Sequence, residues 1–406
     1  MLTALSPRVA FGRGRPRVVV IGGGVGGVTV AKFLAANAAT IDVILVEPRR
    51  VYTTCFFSNL YIAGLRPFDS LTHDYEALTK QFRVTVVHEA ADKIYPAAKT
   101  VVLKNGVKLT YDRLVVAPGI AFRDHVLEGH GETQMDVMPH AWNSGPQSRL
   151  LRQQLENMGD GGLFVLVVPP DPIRCPPAPY ERASLVAFYF QRSKPKSKIL
   201  ILDAKDSFPA QDMFQDAWNR HYPGMIEWLP AQFTGGVKAV DAMTRTVITA
   251  GETFKAAVAN VIPAQMAGHL AQEAGLADSS GWCPVDPVTF ESKLQPSIHL
   301  VGDAIIAGDM PKSATSAYSQ AKACACAISA DLAGTARATE PMFSKCYTYL
   351  GPDDAFSNTA IFKPDGAKLK NFENSGGNVE QSAEVRRDAA RAAEAWYDAF
   401  FHDVFG

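Results

Sequence analysis

Residues Arg17 to Pro48 read RVVVIGGGVGGVTVAKFLAANAATIDVILVEP, and the order of residue types in this stretch decides the fold. An apolar run, RVVVI, suits a strand buried on both faces. A glycine-rich turn follows, then a helical stretch, VTVAKFLAAN, and a second apolar run, IDVILVEP. Strand, turn, helix and strand make a βαβ unit. Gly22, Gly24 and Gly27 fall in the spacing GxGxxG, and Glu47 closes the second strand about 20 residues further on. Each part has a physical task. Glycines let the backbone approach a pyrophosphate whose charge rests on the first amides of the helix, and the carboxylate accepts hydrogen bonds from a ribose. The stretch predicts a dinucleotide-binding unit.

Working outward, KTVVLKNGVKLTYDRLVVAPG alternates apolar and polar residues around Asn105-Gly106, a hairpin signal, and then enters a buried strand that stops at Gly119. Far along the chain SIHLVGDA is another buried strand, with Gly302 and Asp303 at the carboxyl edge where a nucleotide would meet it. These distant pieces predict one nucleotide domain interrupted by an insertion. The insertion has its own strand, GGLFVLVVPP, a helix over 181–192 and a strand, KILILDA, hence a second βαβ unit. Its turn, PPDPIRCPPAPYERA, contains no glycine. Prolines and Arg174 cannot make an N–H-rich phosphate cradle, so this unit is expected to keep the fold without the nucleotide. After about Ala338 the texture changes to strands joined by Pro-Asp and Asp-Gly turns, then a terminal helix with Trp396, Phe400 and Val404 on its packed side. The expected architecture is α/β: two Rossmann-like dinucleotide-binding domains, the first discontinuous, plus a C-terminal α+β domain. The expected spans are 1–127 and 271–338 for the first domain, 128–270 for the second and 339–406 for the last.

A length of 406 residues at about 150 per domain allows two or three domains. Forty Lys and Arg against 41 Asp and Glu leave a net charge of -1, so no global field favours nucleic acid or an anionic membrane. The longest uncharged apolar stretch, Val18 to Ala31, is glycine-rich and shorter than the roughly 20 residues of a spanning helix, so no transmembrane segment is expected. The opening residues, MLTALSPRVAFGRGRPR, read either as the trimmed stump of an export signal or as a loose start. Six cysteines, at 55, 175, 283, 324, 326 and 346, include no CxxC or CxxCH, and the histidines show no HxxxH or HxH. Neither a metal site nor covalent haem is expected on this chain. Cys324 and Cys326 sit at i and i+2 of a helical segment and read as small core residues.

GGGVGG, Glu47, the hairpin leading to APG, and VGDA together resemble the two-dinucleotide-domain flavoproteins related to glutathione reductase. VYTTCFFSN around Cys55, RCPPAPYERA around Cys175, MPKSATSAYSQAK around Lys312 and SKCYTYL around Cys346 narrow the match. From about Arg17 onward the chain resembles the flavoprotein subunit of flavocytochrome c sulfide dehydrogenase. The resemblance implies FAD, held by Gly22, Gly24, Gly27, Glu47, Gly119, Gly302 and Asp303 and bonded covalently through Cys55. A thiolate just past the ribose acid can reach the activated flavin methyl carbon, whereas a buried inert cysteine is the plainer reading. The resemblance also implies a redox-active disulfide of Cys175 and Cys346 beside the flavin. Hydrosulfide would attack one sulfur and leave a persulfide and a thiolate. A tether clamping the C-terminal segment is the alternative, and the two are compatible. Glu181 is implied to shuttle a proton, although a first-turn acid also suits the helix dipole. Lys312 is implied to stabilise the reduced flavin, with a solvated surface lysine as the alternative.

These implications describe an exported, periplasmic FAD enzyme that oxidises sulfide to sulfur or polysulfide. Electrons would pass singly to a c-type cytochrome subunit, or to another one-electron carrier such as a copper protein. Two rivals stay open. A sulfide:quinone reductase would need an apolar, basic amphipathic C-terminus, but Glu384, Arg386, Arg387, Asp388, Arg391 and Glu394 predict a mixed-charge solvated face. An electron-relay subunit would carry purely structural cysteines.

Overall fold

The computed structural model describes residues 14–37, 40–124, 126–337 and 339–406. The export-signal reading rests mainly on residues 1–13, which lie outside the described residues.

Strand β1 (Arg17–Ile21) is apolar and buried from Val18 on, as a strand covered on both faces must be. It feeds α1 (Val25–Asn37), and the chain returns as β2 (Asp42–Val46), parallel to β1 with Val19 opposite Ile44. Next in the same sheet come β3 (Thr85–Val87), beside β2, and β4 (Arg113–Val116), beside β1. The Asn105-Gly106 hairpin forms as expected: Gly106 turns at φ 84°, and Thr100–Leu103 pairs antiparallel with Lys108–Thr110.

The chain then builds a second parallel sheet from β5 (Leu163–Val168), helix α2 (Ala178–Ser193), β6 (Lys198–Asp203), β7 (Ile226–Leu229) and β8 (Val258–Val261), in the order β7-β6-β5-β8. Helix α2 begins three residues earlier than the sequence reading set it, because Pro179 is tolerated in a first turn that needs no amide partner. Only after this does β9 (Ile298–Leu300) return to the first sheet, with Ile298 opposite Leu114, to give the order β9-β4-β1-β2-β3. Helix α3 (Ala314–Ala333) packs on α1. An antiparallel sheet of β10 (Met342–Gly351), β11 (Asp354–Asp365) and β12 (Lys368–Gly376) precedes the terminal helix α4 (Ala383–Phe405).

Three local expectations are corrected. The buried stripe of α4 is Ala390, Ala393, Tyr397, Phe401, Val404 and Phe405, while Trp396 and Phe400 are only half-buried. The stripe is turned because its partners are rings of the first domain: Phe57 stacks on Tyr397 and His73 on Phe401, each pair 4.5 Å between centroids, and Tyr52 stacks on Phe405 at 5.3 Å. Arg386 does not belong to the solvated face. It is buried, 3.5 Å from Asp354 and 3.7 Å from Asp216. Cys324 is core, but Cys326 is exposed, since residues two apart on a helix point about 200° apart. Among the described residues no helix is long and apolar enough to cross a membrane.

Candidate functional site

Strand β1 ends at Ile21, and the chain must turn at once into α1. Gly22 makes the turn at φ 101°, where a Cβ would lie 2.3 Å from the Ala117 carbonyl oxygen; a Cβ on Gly27 would lie 1.9 Å from the Gly22 oxygen. Only glycine fits either position. Gly24 opens onto space, with Tyr52 Cε2 the nearest atom at 3.8 Å. Beside this turn Glu47 is buried; its Oε2 accepts from the Gly23 amide at 2.7 Å and its Oε1 from the Arg49 amide and Nε at 3.0 and 2.9 Å. Burial works against the charge, but Arg49 holds the carboxyl below its usual range.

On the far side of the turn, Gly302 bends the chain at φ 84° after β9, and Asp303 follows. Asp303 Oδ1 is buried with no hydrogen-bond partner among the described residues, and burial raises this carboxyl's pKa against the charges of Arg174 and Lys312. An unpaired buried oxygen near an open glycine turn fits a ligand rich in hydroxyls and phosphates. The residues present therefore suit a flavin dinucleotide. Lys312 Nζ donates to the Asp303 and Ile305 carbonyls at 2.9 and 2.7 Å and lies 3.7 Å from the Trp282 ring centre. Burial brings its ammonium down to about 8, so the solvated-surface alternative does not hold.

A cavity of about 260 Å³ opens beside these groups, with Cys55, Asn59, Cys175, Glu181, Cys346 and Trp396 in its wall. Each reaches it from a different element. Cys55 follows the short strand Val51–Thr53, and its carbonyl accepts from the Ser58 hydroxyl at 2.8 Å. Cys175 occupies the proline-rich turn between β5 and α2 at φ 54°, and its amide is taken by the Lys312 carbonyl at 2.7 Å. Cys346 lies on β10 opposite Asn358. All six cysteines are free thiols in this structure.

Glu181, in the first turn of α2, is enclosed between two donors: the Tyr349 amide at 2.8 Å on Oε1 and Asn59 Nδ2 at 2.7 Å on Oε2. Burial outweighs them and lifts its pKa to about 7. Next to it Arg182 is fully buried, and burial draws its guanidinium down to about 9. It donates to Asn59 Oδ1 at 3.0 Å, to Asn260 Oδ1 at 2.7 Å and to the Ala141 carbonyl at 2.6 Å. Because an arginine only donates, it turns the Asn59 amide so that the NH2 faces Glu181.

Of the residues singled out in the sequence, Cys55, Cys175, Glu181 and Cys346 share the cavity wall, and Lys312 joins them through its carbonyl. Gly119 does not line the cavity; it turns the chain at φ 64°, and its carbonyl accepts from Gly268 at 3.0 Å. Sequence reasoning missed Asn59, Arg182 and Trp396. The signal for the first was its position four residues after Cys55, and for the second an arginine adjacent to the singled-out glutamate.

Comparison with known proteins now bears on this geometry. The family described as pyridine nucleotide-disulphide oxidoreductase matches residues 16–150. The central part of the sulfide dehydrogenase (flavocytochrome c) flavoprotein chain matches residues 148–263, and the flavocytochrome c sulphide dehydrogenase flavin-binding family matches 339–405. A flavocytochrome c sulfide dehydrogenase flavoprotein chain from Chlorobaculum thiosulfatiphilum is 52% identical over 46 residues, 96% of that sequence and 11% of this chain. The chain belongs to the flavocytochrome c sulfide dehydrogenase flavoprotein family. Wider relatives of the family also match. The mouse mitochondrial sulfide:quinone oxidoreductase is 22% identical over 74% of this chain and 67% of its own. A sulfide-quinone reductase from Aquifex aeolicus is 36% identical over 103 residues, a match that spans 25% of this chain and 24% of that enzyme. In fold, the solved sulfide:quinone oxidoreductase of Aquifex aeolicus superposes with a TM-score of 0.77 at 19% identity, covering 96% of this chain and 91% of that one.

Proposed function

We propose that the protein is a flavin-dependent sulfide dehydrogenase that oxidises sulfide to sulfur or polysulfide through Cys175 and Cys346 and passes electrons to a c-type cytochrome partner. The observation that carries this reading is one cavity whose wall holds two cysteines 171 positions apart together with Cys55 and Glu181. Membership of the family and similarity to proteins named for sulfide oxidation support it.

In the dinucleotide site Gly22, Gly24, Glu47 and Asp303 would hold FAD, with Cys55 as its point of covalent attachment. A bound flavin supplies a two-electron acceptor that releases electrons one at a time. The rest is the work of this chain's own residues. In the oxidised form Cys175 and Cys346 are joined, and hydrosulfide attacks one sulfur; the S–S bond breaks into a persulfide on one cysteine and a thiolate on the other. Glu181, with a pKa lifted to about 7, can take the proton that the incoming sulfide loses and return it. Lys312 and Arg174 place positive charge near Asp303, which would offset negative charge on a cofactor held there. The reading also implies an exported, periplasmic location, which cell fractionation tests.

The quinone-reducing alternative draws on the two sulfide:quinone relatives. Against it stands α4, whose exposed Glu384, Arg387, Asp388, Arg391 and Glu394 give a mixed-charge surface unlike the basic amphipathic face that rests on lipid. One experiment separates them: anaerobic sulfide oxidation by the holoprotein with either a soluble c-type cytochrome or a short-chain quinone. The cytochrome should be reduced catalytically. Faster turnover with the quinone overturns the choice of acceptor.

A further inference from the structure

The two cavity cysteines stand in different surroundings. Thr315 Oγ lies 3.2 Å from Cys346 Sγ, and the Ser313 and Ser344 hydroxyls lie behind it, 3.1 and 3.0 Å from Thr315 Oγ. These hydroxyls form a chain. Ser313 donates to Ser316 Oγ at 2.9 Å, and Ser316 donates to Ser344 Oγ at 3.3 Å; Ser344 and Thr315 are 3.0 Å apart. With the first two protons committed, Ser344 is left to donate to Thr315; the Thr315 proton has the Ser313 oxygen at 3.1 Å and the sulfur as acceptors, and a thiolate sulfur, which can only accept, draws it. Ser313, Thr315, Ser316 and Ser344 are all buried, so each depends on the others for its partners.

The chain starts at a helix cap. Ser313 caps the 20-residue helix α3, its hydroxyl accepting from the Ser316 amide at 3.2 Å. Cys346 therefore sits against the positive end of a long helix as well as against hydroxyl donors, and both favour negative charge on sulfur. Cys175 also precedes a helix, since its carbonyl accepts from the Ala178 amide of α2 at 3.0 Å, and Cys346, Glu181, Cys55 and Arg174 surround it; what its sulfur lacks, among the described residues, is a hydroxyl donor. Burial pushes both thiols up, Cys175 well above the ordinary range, while hydrogen bonding, that of Thr315 foremost, pulls Cys346 back. Glu181 is the charged group facing Cys346 from α2, and once ionised it opposes the thiolate.

We propose that the hydroxyl chain ending at Thr315 makes Cys346 the thiolate-stabilised member of the pair, so that the two sulfurs have fixed and different roles. The proposal rests on the reading that Cys175 and Cys346 are the reactive pair. A disulfide opens toward the better leaving sulfur. Hydrosulfide then bonds to Cys175 Sγ, the S–S bond breaks, and its electron pair leaves on Cys346 Sγ; Cys175 holds the persulfide, and Cys346 the thiolate under the Thr315 hydroxyl. No outside oxidant enters this step, since the disulfide itself is reduced.

The test begins without sulfide. The holoprotein is reduced, treated with limiting iodoacetamide between pH 6 and 9, and mapped by peptide mass spectrometry. Cys346 should be labelled faster than Cys175 and at lower pH. Thr315→Val should slow Cys346 labelling at neutral pH about tenfold, the scale of one hydrogen bond to a charged sulfur, and Thr315→Ser should restore it. Melting curves identify any variant that fails to fold, and the Ser variant keeps the comparison open in that case. Faster labelling of Cys175, or a folded Thr315→Val protein with unchanged Cys346 labelling, overturns the proposal. Sulfide is then added to the oxidised wild type and the product trapped by alkylation. The added sulfur should be found on Cys175, and added sulfur on Cys346 overturns the assigned roles. If neither cysteine gains sulfur, the sulfide reading fails, while the labelling order still decides the role of the hydroxyls.

Discussion

At Glu181 two fixed donors meet a carboxyl that burial favours in its protonated form. Its folded pKa of about 7 stands above the ordinary 4.5. The folded protein therefore holds a proton between those values where the unfolded chain does not, and this group's contribution to stability falls as pH rises from about 4.5 to 7. Glu181→Gln should flatten that part of the stability curve, which urea denaturation at several pH values measures. The same substitution should remove the rise of sulfide turnover through about pH 7 and lower the rate by at least about a hundredfold, the usual yield of general base catalysis. An unchanged pH–rate profile in a folded Glu181→Gln protein would count against the proton-shuttle role. Cys55 offers a simpler check. After acid denaturation and gel filtration the yellow colour should travel with the wild-type chain and with the small molecules in Cys55→Ala.

On the scale of elements, the two βαβ units share a plan but differ at the turn. The first has Gly22 and Gly27, which leave no room for a Cβ, whereas the second has a proline-rich turn whose Cys175 amide is already spent on the Lys312 carbonyl. Anaerobic mixing with micromolar NADH or NADPH should leave the flavin oxidised for minutes, and rapid bleaching would show that the second turn binds a nucleotide after all. Both units could be read from the sequence because a buried parallel strand is a local pattern of apolar residues. The face of α4 could not, because Trp396, Tyr397, Phe400 and Phe401 are all large and apolar, and the rings of Tyr52, Phe57 and His73 select among them from more than 300 positions away. Arg386 was misread for a related reason: its partners Asp216 and Asp354 come from other elements. The hydroxyl chain escaped notice because Ser344 and Thr315 meet only after β10 packs on α3.

Across the whole molecule Cys175 and Cys346 belong to segments that meet only in the finished fold. Cys175→Ser and Cys346→Ser should each keep FAD and abolish flavin bleaching when sulfide is mixed in anaerobically. If the pair served only as a tether, each variant would instead lose about 2 to 4 kcal/mol of stability and still bleach. Stopped-flow absorbance paired with a melting curve for each variant distinguishes the two. The late return of β9 to the first sheet bears on how the protein is made. The β4 edge at Leu114 waits for Ile298, so a growing chain must emerge through every strand of the second sheet before the first can be closed. Until then a strand with free amides and carbonyls is open to a neighbouring chain. Pairings this distant in sequence form slowly, and for that interval the open edge of the first sheet is the part of the newborn chain most open to pairing with a neighbour.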